Sequence, residues 1–122
     1  MIPEMQQLLS RLITLPMPSM CIVSGHCYAG GLIFALCHDF RIMTTNTKPK
    51  VCLSEINIGM ALPPSYAVAV KYTLTPSTAR YLSLGPAVTS KEAFDLGVFT
   101  GLFKDYEDAQ KQITTFDKMF SN

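Results

Sequence analysis

Apolar residues along this chain recur at two spacings, one typical of helices and the other of buried strands. Over residues 3–14 they return every three or four positions after Pro3, which predicts an amphipathic helix with proline in its first turn. Pro16 and Pro18 end this helix, because proline lacks a backbone donor and disfavours helical geometry in the residue before it. Residues 19–23 then form a short, nearly uninterrupted apolar run, which predicts a strand buried on both faces.

The rest of the sequence continues this alternation of helices and strands. Helices are predicted over residues 32–38, 65–72, 76–84, 90–96 and 106–120, and strands over residues 39–43, 51–53 and 98–103. Thr75 and Ser90 are predicted as N-caps, and residues 44–50 and 59–64 as a loop and an irregular turn. Strands that alternate with helices indicate an α/β fold with a largely parallel sheet, and the length indicates a single domain over residues 1–122.

The composition is apolar, and few of the residues are charged. Hydrophobic residues make up 48% and charged residues 16%, which excludes intrinsic disorder. The net charge of +1 and the lack of a basic run give no electrostatic basis for binding nucleic acid. The longest apolar run, residues 32–37, is far shorter than the roughly 20 residues of a membrane span. No secretory or peroxisomal signal is seen, so we expect an intracellular soluble protein with part of its apolar surface covered by another subunit or segment.

The cysteines and histidines do not form a metal-binding pattern. His26 and His38 stand directly beside Cys27 and Cys37, without the spacing that zinc ligands need. We therefore predict no metal site, but reduced and buried thiols at Cys21, Cys27, Cys37 and Cys52. Cys27 is not expected to be a nucleophile, because no histidine and acid accompany it in a catalytic pattern.

Residues 24–31 (SGHCYAGG) place a pair of glycines between a buried strand and a helix. Glycine lets a ligand approach the backbone closely, and the N–H groups at a helix start can bind developing negative charge. A tight strand-to-helix turn would need the same small residues, so the pattern alone leaves both uses open. It is neither a P-loop nor a GxGxxG motif. His26 is expected to pack or to satisfy a backbone group, with contact to a substrate as the other interpretation, and Asp39 is expected to fix a turn at the start of a strand.

Three segments occur in order along the chain: residues 18–42 (PSMCIVSGHCYAGGLIFALCHDFRI), residues 53–59 (LSEINIG) followed by Pro63, and residues 82–98 (LSLGPAVTSKEAFDLGV). Together they resemble the signature of the crotonase superfamily of enoyl-CoA hydratases and isomerases. One such segment is weak support, but three at family-like spacing cover most of residues 16–103. The resemblance implies a crotonase-like (ClpP/crotonase) α/β spiral of ββα units, here in part.

The resemblance also implies an acyl-CoA thioester substrate and an oxyanion hole of two backbone N–H groups. One of these groups is that of Gly30, at the start of a helix, and such a donor supplies about 3–4 kcal/mol to a developing enolate. Gly31 is expected to allow tight packing of that helix. The implied substrate-binding positions are Ala29, Gly31, Met60, Leu62 and Tyr66, the last three against the acyl chain. Coenzyme A is part of the substrate, and no separate cofactor is implied.

The number of catalytic glutamates makes this chain resemble the Δ3,Δ2-enoyl-CoA isomerases of fatty acid β-oxidation, which use one. Hydratases of the superfamily carry two, and the first of them falls at Ile33 in this chain, while the second falls at Glu55. In the isomerases one glutamate removes a proton from C2 and returns it at C4. Elementary chemistry agrees, because hydration needs an activated water and a proton donor whereas a 1,3-proton shift needs one base. The apolar neighbours Ile56, Ile58 and Met60 are expected to raise the pKa of Glu55.

Two other functions remain open at this point. The first is another crotonase-type enzyme such as an enoyl-CoA hydratase, against which Ile33 counts. The second is a non-catalytic subunit or an inactive fragment that keeps the fold for assembly. A water-dependent product from a 2-enoyl-CoA would favour the hydratase.

The resemblance covers only part of a family domain. Relatives begin with upstream strands that supply the other oxyanion N–H group and end with helices that build trimers. We therefore expect a homo-oligomer at full length, located in the peroxisome or mitochondrion as the resemblance implies. The isolated 122-residue chain is expected to self-associate and to lack measurable isomerase activity, because half a domain leaves apolar surface and sheet edges uncovered.

Overall fold

A computed structural model describes residues 3–53 and 64–121, with side chains described for residues 7–53 and 68–121. The helices in these ranges are α1 (Pro3–Ile13), α2 (Gly30–Leu36), α3 (Pro64–Thr73), α4 (Pro76–Ser83), α5 (Ser90–Asp95) and α6 (Tyr106–Phe120). The strands are β1 (Met20–Val23), β2 (Cys27–Tyr28), β3 (Phe40–Thr44), β4 (Lys50–Cys52), β5 (Val88–Thr89) and β6 (Gly101–Phe103). The predicted alternation of helices and strands is confirmed in the described ranges.

One sheet has the strand order β1-β3-β6, and its strands are all parallel. Met20 pairs with Phe40, and Ile42 pairs with Gly101. Parallel neighbours need a crossover connection, which α2 supplies between β1 and β3. The prediction that residues 19–23 are buried on both faces was wrong, since Ile22 is 45% exposed. In this sheet β1 lies at the edge, and the central strand β3 is the buried one.

A second sheet has the order β2-β4-β5, with β2 and β4 parallel but β4 and β5 antiparallel. The largely parallel pairing expected from the sequence is confirmed in the described part of the chain, where it is divided between two sheets. The strands β2 and β5 have two residues each, which is too short for an alternating pattern to show. Their pairing depends on β4, which lies far from both in sequence.

The main core lies where α2 meets the inner faces of the two sheets. Apolar side chains from most of the helices and strands meet here, and each is no more than 3% exposed: Leu9, Leu32, Ile33, Met43, Val51, Val70, Leu82, Val88 and Ala93. Burying a large aliphatic side chain stabilises a fold by about 1.5–3 kcal/mol. This cluster therefore holds α2 rigidly against the strands that lead to the site.

The last helix, α6, packs on the other face of the first sheet. Gly101 permits the close approach, because a Cβ there would lie 3.0 Å from Gln112 Oε1 and 3.2 Å from Ile42 Cγ2. The side-chain amide of Gln112 donates to the Leu102 carbonyl at 2.8 Å. The predicted apolar face of α6 is also confirmed, since the rings of Phe116 and Phe120 lie 5.3 and 5.6 Å from that of Phe40.

Hydroxyl side chains cap α4 and α5. Thr75 was predicted correctly, and its Oγ1 accepts from the Thr78 N–H at 3.2 Å. The N-cap of α5 is Thr89, so the prediction of Ser90 was wrong. Thr89 Oγ1 accepts from the Glu92 N–H, and Glu92 Oε1 accepts from the Thr89 N–H, both at 3.1 Å. This reciprocal capping box lowers the pKa of Glu92, because its carboxylate accepts a hydrogen bond from the Thr89 backbone.

The predicted boundaries of the helices and longer strands lie within two residues of the observed ones, except that β6 begins at Gly101 rather than at residue 98. Helix α2 begins at Gly30, within the glycine pair expected to open it, and ends at Leu36 rather than at residue 38. Val98 and Thr100 instead form hydrogen bonds with Arg41. The predicted irregular turn at residues 59–64 lies outside the described residues except for Pro64, which begins α3. None of the described helices is long and apolar enough to cross a membrane.

Candidate active site

The turn from β2 into α2 is fixed by a hydrogen bond to the end of β4. The Ala29 N–H donates to the Cys52 carbonyl at 2.8 Å and extends the parallel pairing of Tyr28 with Cys52. Ala29 has φ 52° and ψ −120°, in the left-handed half of conformational space that normally belongs to glycine. The next residue, Gly30, begins the helix. The start of α2 and the carboxyl end of β4 therefore lie side by side.

The backbone donors at the start of α2 point away from intrahelical partners. The first bond of the helix runs from the Ile33 N–H to the Ala29 carbonyl at 3.1 Å. Within the described residues, the N–H groups of Gly30 and Gly31 donate to no acceptor. Such free donors bind an oxygen atom that carries negative charge. The sequence hypothesis for Gly30 is therefore compatible with the local geometry.

Gly31 has no close neighbour among the described residues. It is exposed, and a Cβ built on it would meet no described atom within 4 Å. Tight helix packing therefore does not explain this glycine in the described part of the chain. Among the described residues, no atom covers the surface beside Gly31 next to the Gly30 N–H group.

The remaining predicted site residues fall partly beyond what the structure describes. Glu55, Met60 and Leu62 lie outside the described residues. Tyr66 belongs to α3, which packs against α2, where Thr73 Oγ1 donates to the Leu36 carbonyl at 3.0 Å. The structure thus brings Ala29, Gly30 and Gly31 together at one turn and leaves the other four positions as predictions.

Ile33 occupies the first turn of α2 and has no access to solvent. Its side chain is 0% exposed and belongs to the main core. An aliphatic side chain has no proton to give and no lone pair to accept one. A carboxylate at this position would have to be buried among apolar groups at a cost of several kcal/mol.

His26 satisfies a backbone group, as expected from the sequence. Its Nδ1 accepts from the Lys50 N–H at 2.9 Å, so the neutral imidazole carries its proton on Nε2. The ring also stacks on Tyr28, with centroids 5.6 Å apart. These contacts join the loop before β2 to the start of β4.

The thiols near the turn are held in their neutral form. Burial, with a smaller contribution from Cys21, raises the pKa of Cys27 to about 12. Burial also raises the pKa of Cys21 and of Cys37. The expected burial is confirmed for Cys27, Cys37 and Cys52, whereas Cys21 is half-buried. Because the thiolate is the nucleophilic form, Cys27 is unsuited to covalent catalysis.

A buried arginine anchors the opposite end of α2. Arg41 is 5% exposed, and its guanidinium donates to the carbonyls of His38 and Val98, both at 2.7 Å. Its backbone N–H donates to Thr100 Oγ1 at 2.9 Å, and desolvation lowers the pKa of its side chain. Sequence reasoning assigned Arg41 no role, although a charged residue within the apolar strand β3 was a visible signal.

Asp39 joins two strands rather than fixing a local turn. Its Oδ2 accepts from the N–H of Ser19, twenty positions earlier, at 2.9 Å. The Phe40 N–H donates to the Ser19 carbonyl at 3.0 Å, so the two residues set the register of β1 against β3. The expected turn is therefore corrected to a link between strand starts.

Comparison with known proteins identifies the lineage. A model of the enoyl-CoA hydratase/isomerase family matches residues 1–122. The chain belongs to the enoyl-CoA hydratase/isomerase family. It is 31% identical over 110 residues to the peroxisomal enoyl-CoA delta isomerase 2 of Arabidopsis thaliana, and the aligned region covers 88% of this chain and 45% of that protein. It is 32% identical over 103 residues to a probable enoyl-CoA hydratase of Bacillus subtilis (strain 168), and the aligned region covers 82% of this chain and 38% of that protein.

A solved structure gives the fold of this family member. The enoyl-CoA hydratase from Thermoplasma volcanium GSS1 superposes with a TM-score of 0.83 at 24% identity, covering 94% of this chain and 46% of that one. The predicted crotonase-like α/β fold is confirmed. The chain spans less than half the length of these two relatives and of this solved structure.

Proposed function

We propose that this chain carries the catalytic base and one oxyanion donor of a Δ3,Δ2-enoyl-CoA isomerase acting in fatty acid β-oxidation. The observation that carries the proposal is the hydrogen bond between the Ala29 N–H and the Cys52 carbonyl. It holds the free Gly30 donor beside the end of β4, and Glu55 follows three positions after Cys52 in the sequence. Membership of the enoyl-CoA hydratase/isomerase family supports the acyl-CoA substrate class.

In the proposed reaction the backbone of α2 stabilises charge on the thioester. The thioester oxygen of a 3-enoyl-CoA accepts from the Gly30 N–H, and its negative charge grows as the enolate forms. A donor already in place costs no reorganisation when the charge develops, which is worth about 3–4 kcal/mol. A second N–H donor completes the oxyanion hole in the proposal, and this chain's own contribution to it is Gly30.

Glu55 is proposed to move one proton. The carboxylate removes a proton from C2, and the electron pair of the broken C–H bond forms a dienolate over the thioester oxygen, C1, C2, C3 and C4. The same carboxyl then returns the proton to C4, which leaves the double bond between C2 and C3. One group that swings between two carbons is sufficient, so atoms and charges balance without water. No metal or separate cofactor takes part in this scheme.

The burial of Ile33 supports an isomerase over a hydratase. Adding water to a 2-enoyl-CoA needs a base for the water and an acid for the adjacent carbon. The position that resembles the first hydratase glutamate is here aliphatic and 0% exposed. The proposal therefore leaves Glu55 as the only carboxylate assigned to the reaction.

The proposed reaction also assigns residues that contact the substrate. Ala29 and Gly31 are proposed to line the thioester, and Met60, Leu62 and Tyr66 to contact the acyl chain. We further propose a homo-oligomer in the peroxisome or mitochondrion, a setting in keeping with the peroxisomal relative in Arabidopsis thaliana.

A hydratase is the second candidate, favoured by the match to a probable enoyl-CoA hydratase of Bacillus subtilis. A comparison of kcat/KM for two substrates distinguishes the isomerase from the hydratase. We expect the whole gene product that carries this sequence to isomerise a 3-enoyl-CoA at least about a hundredfold faster than it hydrates the 2-enoyl-CoA of equal length, since one catalytic group is missing for hydration. Faster hydration would reverse the assignment. No turnover of either substrate would favour a non-catalytic subunit.

A further inference from the structure

Ala29 has a backbone conformation that L-amino acids rarely adopt. Its torsion angles, φ 52° and ψ −120°, match the first central position of a type II′ turn, where glycine is strongly preferred. A Cβ atom at positive φ crowds the neighbouring backbone. Residues held in such regions cluster where a fold fixes a functional geometry.

Two hydrogen bonds, one on each side of the residue, impose this conformation. The Ala29 N–H donates to the Cys52 carbonyl at 2.8 Å, and the Ala29 carbonyl accepts from the Ile33 N–H at 3.1 Å. The first bond continues the β2–β4 pairing, and the second starts α2. The chain must therefore pass from strand to helix within one residue, and Ala29 takes up the whole change of direction.

The ψ angle of Ala29 sets the direction of the next N–H group. Rotation about ψ turns the plane of the peptide that contains the Gly30 N–H. An extended residue has ψ near about +130°, so the observed −120° turns this plane by roughly 110° from its ordinary orientation. The orientation of the Gly30 donor is thus a direct consequence of the unusual torsion angle at Ala29.

We propose that Ala29 is a positioning residue, whose strained backbone aims the Gly30 N–H at the enolate oxygen. This inference rests on the proposed function. Alanine occupies a narrow well at positive φ, whereas glycine moves freely over a wide range of φ and ψ. The methyl group of Ala29 therefore introduces backbone strain but narrows the range of directions in which the Gly30 N–H can point. Such preorganisation strengthens binding of the developing charge more than binding of the uncharged thioester.

The chain offers a matched control for the release of strain. Thr47 is a second non-glycine residue with positive φ, at 62°, and it lies exposed in the turn between β3 and β4. Thr47→Gly relieves backbone strain without touching the turn into α2. It therefore separates a gain in stability from a change in the direction of the Gly30 N–H.

The test measures stability and two ligand affinities in the whole gene product. The first ligand is a 3-ketoacyl-CoA, which ionises to an enolate, and the second is the saturated acyl-CoA of equal chain length. We expect Ala29→Gly and Thr47→Gly both to raise the midpoint of thermal unfolding. Only Ala29→Gly should weaken the preference for the 3-ketoacyl-CoA over the saturated acyl-CoA, by about tenfold.

The possible outcomes separate this inference from the function on which it rests. An unchanged preference in Ala29→Gly, or a stability that does not rise, would overturn the positioning role. Equal loss of both affinities would also overturn it, because Ala29 would then be a simple contact residue. If the parent protein itself does not prefer the 3-ketoacyl-CoA, the proposed oxyanion hole is wrong, and the positioning role is lost with it.

Discussion

Glu55→Gln is expected to lower kcat for the conversion of a 3-enoyl-CoA to a 2-enoyl-CoA by about a thousandfold in the whole gene product. Positioned acid–base groups contribute about 10²- to 10⁴-fold, and here the same carboxyl would both remove and return the proton. The amide of glutamine has nearly the same size but no basic oxygen, so the Kd for the substrate should change little. Steady-state kinetics and a direct binding measurement check the two expectations.

Glu107→Gln is the matched control for this substitution. Glu107 is an exposed acid in the first turn of α6, so the same change of side chain should leave kcat and the Kd unaltered. Activity of Glu55→Gln within tenfold of the parent would correspond to a barrier change of only about 1.4 kcal/mol. Glu55 would then not be the base.

Arg41→Met is expected to lower the free energy of unfolding by about 3 kcal/mol. Methionine is similar in length but cannot donate to the His38 and Val98 carbonyls, which Arg41 satisfies at 2.7 Å. Val98 is fully buried, so its carbonyl would be left without a partner in a dry environment. Since the His38 carbonyl follows the end of α2, the helix that carries Gly30 would also lose an anchor.

Chemical denaturation followed by circular dichroism measures this effect. Arg80→Met is the control, because Arg80 is an exposed residue of α4 and its replacement should change stability by less than about 0.5 kcal/mol. A loss below about 1 kcal/mol in Arg41→Met would mean that the packing of the methionine side chain compensates for the two hydrogen bonds. The buried guanidinium would then not be needed for the stability of the fold.

The helices and the longer strands were predictable because their periodicity is local. Residues 3–14 and 106–120 repeat apolar side chains over several turns, and both form helices close to the predicted bounds. The two-residue strands β2 and β5 were not predictable, because each exists only through pairing with β4. The exposure of Ile22 was missed for a similar reason, because the burial of a strand depends on elements from distant parts of the chain that its own sequence does not determine.

The candidate site was predictable only in part. The glycine pair and its place before a helix could be identified from residues 24–31, and the resemblance to the crotonase superfamily supplied the role of Gly30. The unusual torsion angles of Ala29 arise from a hydrogen bond to Cys52, twenty-three positions later, which no local pattern encodes. The cap at Thr89 was missed although the spacing Thr89-x-x-Glu92 was present, because Ser90 is also a good capping residue and its choice shifts the frame by one residue.

The proton itself offers the most direct test of the central claim that one base moves it from C2 to C4. The substrate is a 3-enoyl-CoA that carries two deuterium atoms at C2, and the product is examined by NMR or mass spectrometry at low conversion in ordinary water. Transfer by a single carboxyl predicts that a measurable fraction of the 2-enoyl-CoA carries deuterium at C4. Product with only solvent hydrogen at C4, even when extrapolated to zero conversion, would contradict the transfer of that same proton from C2 to C4.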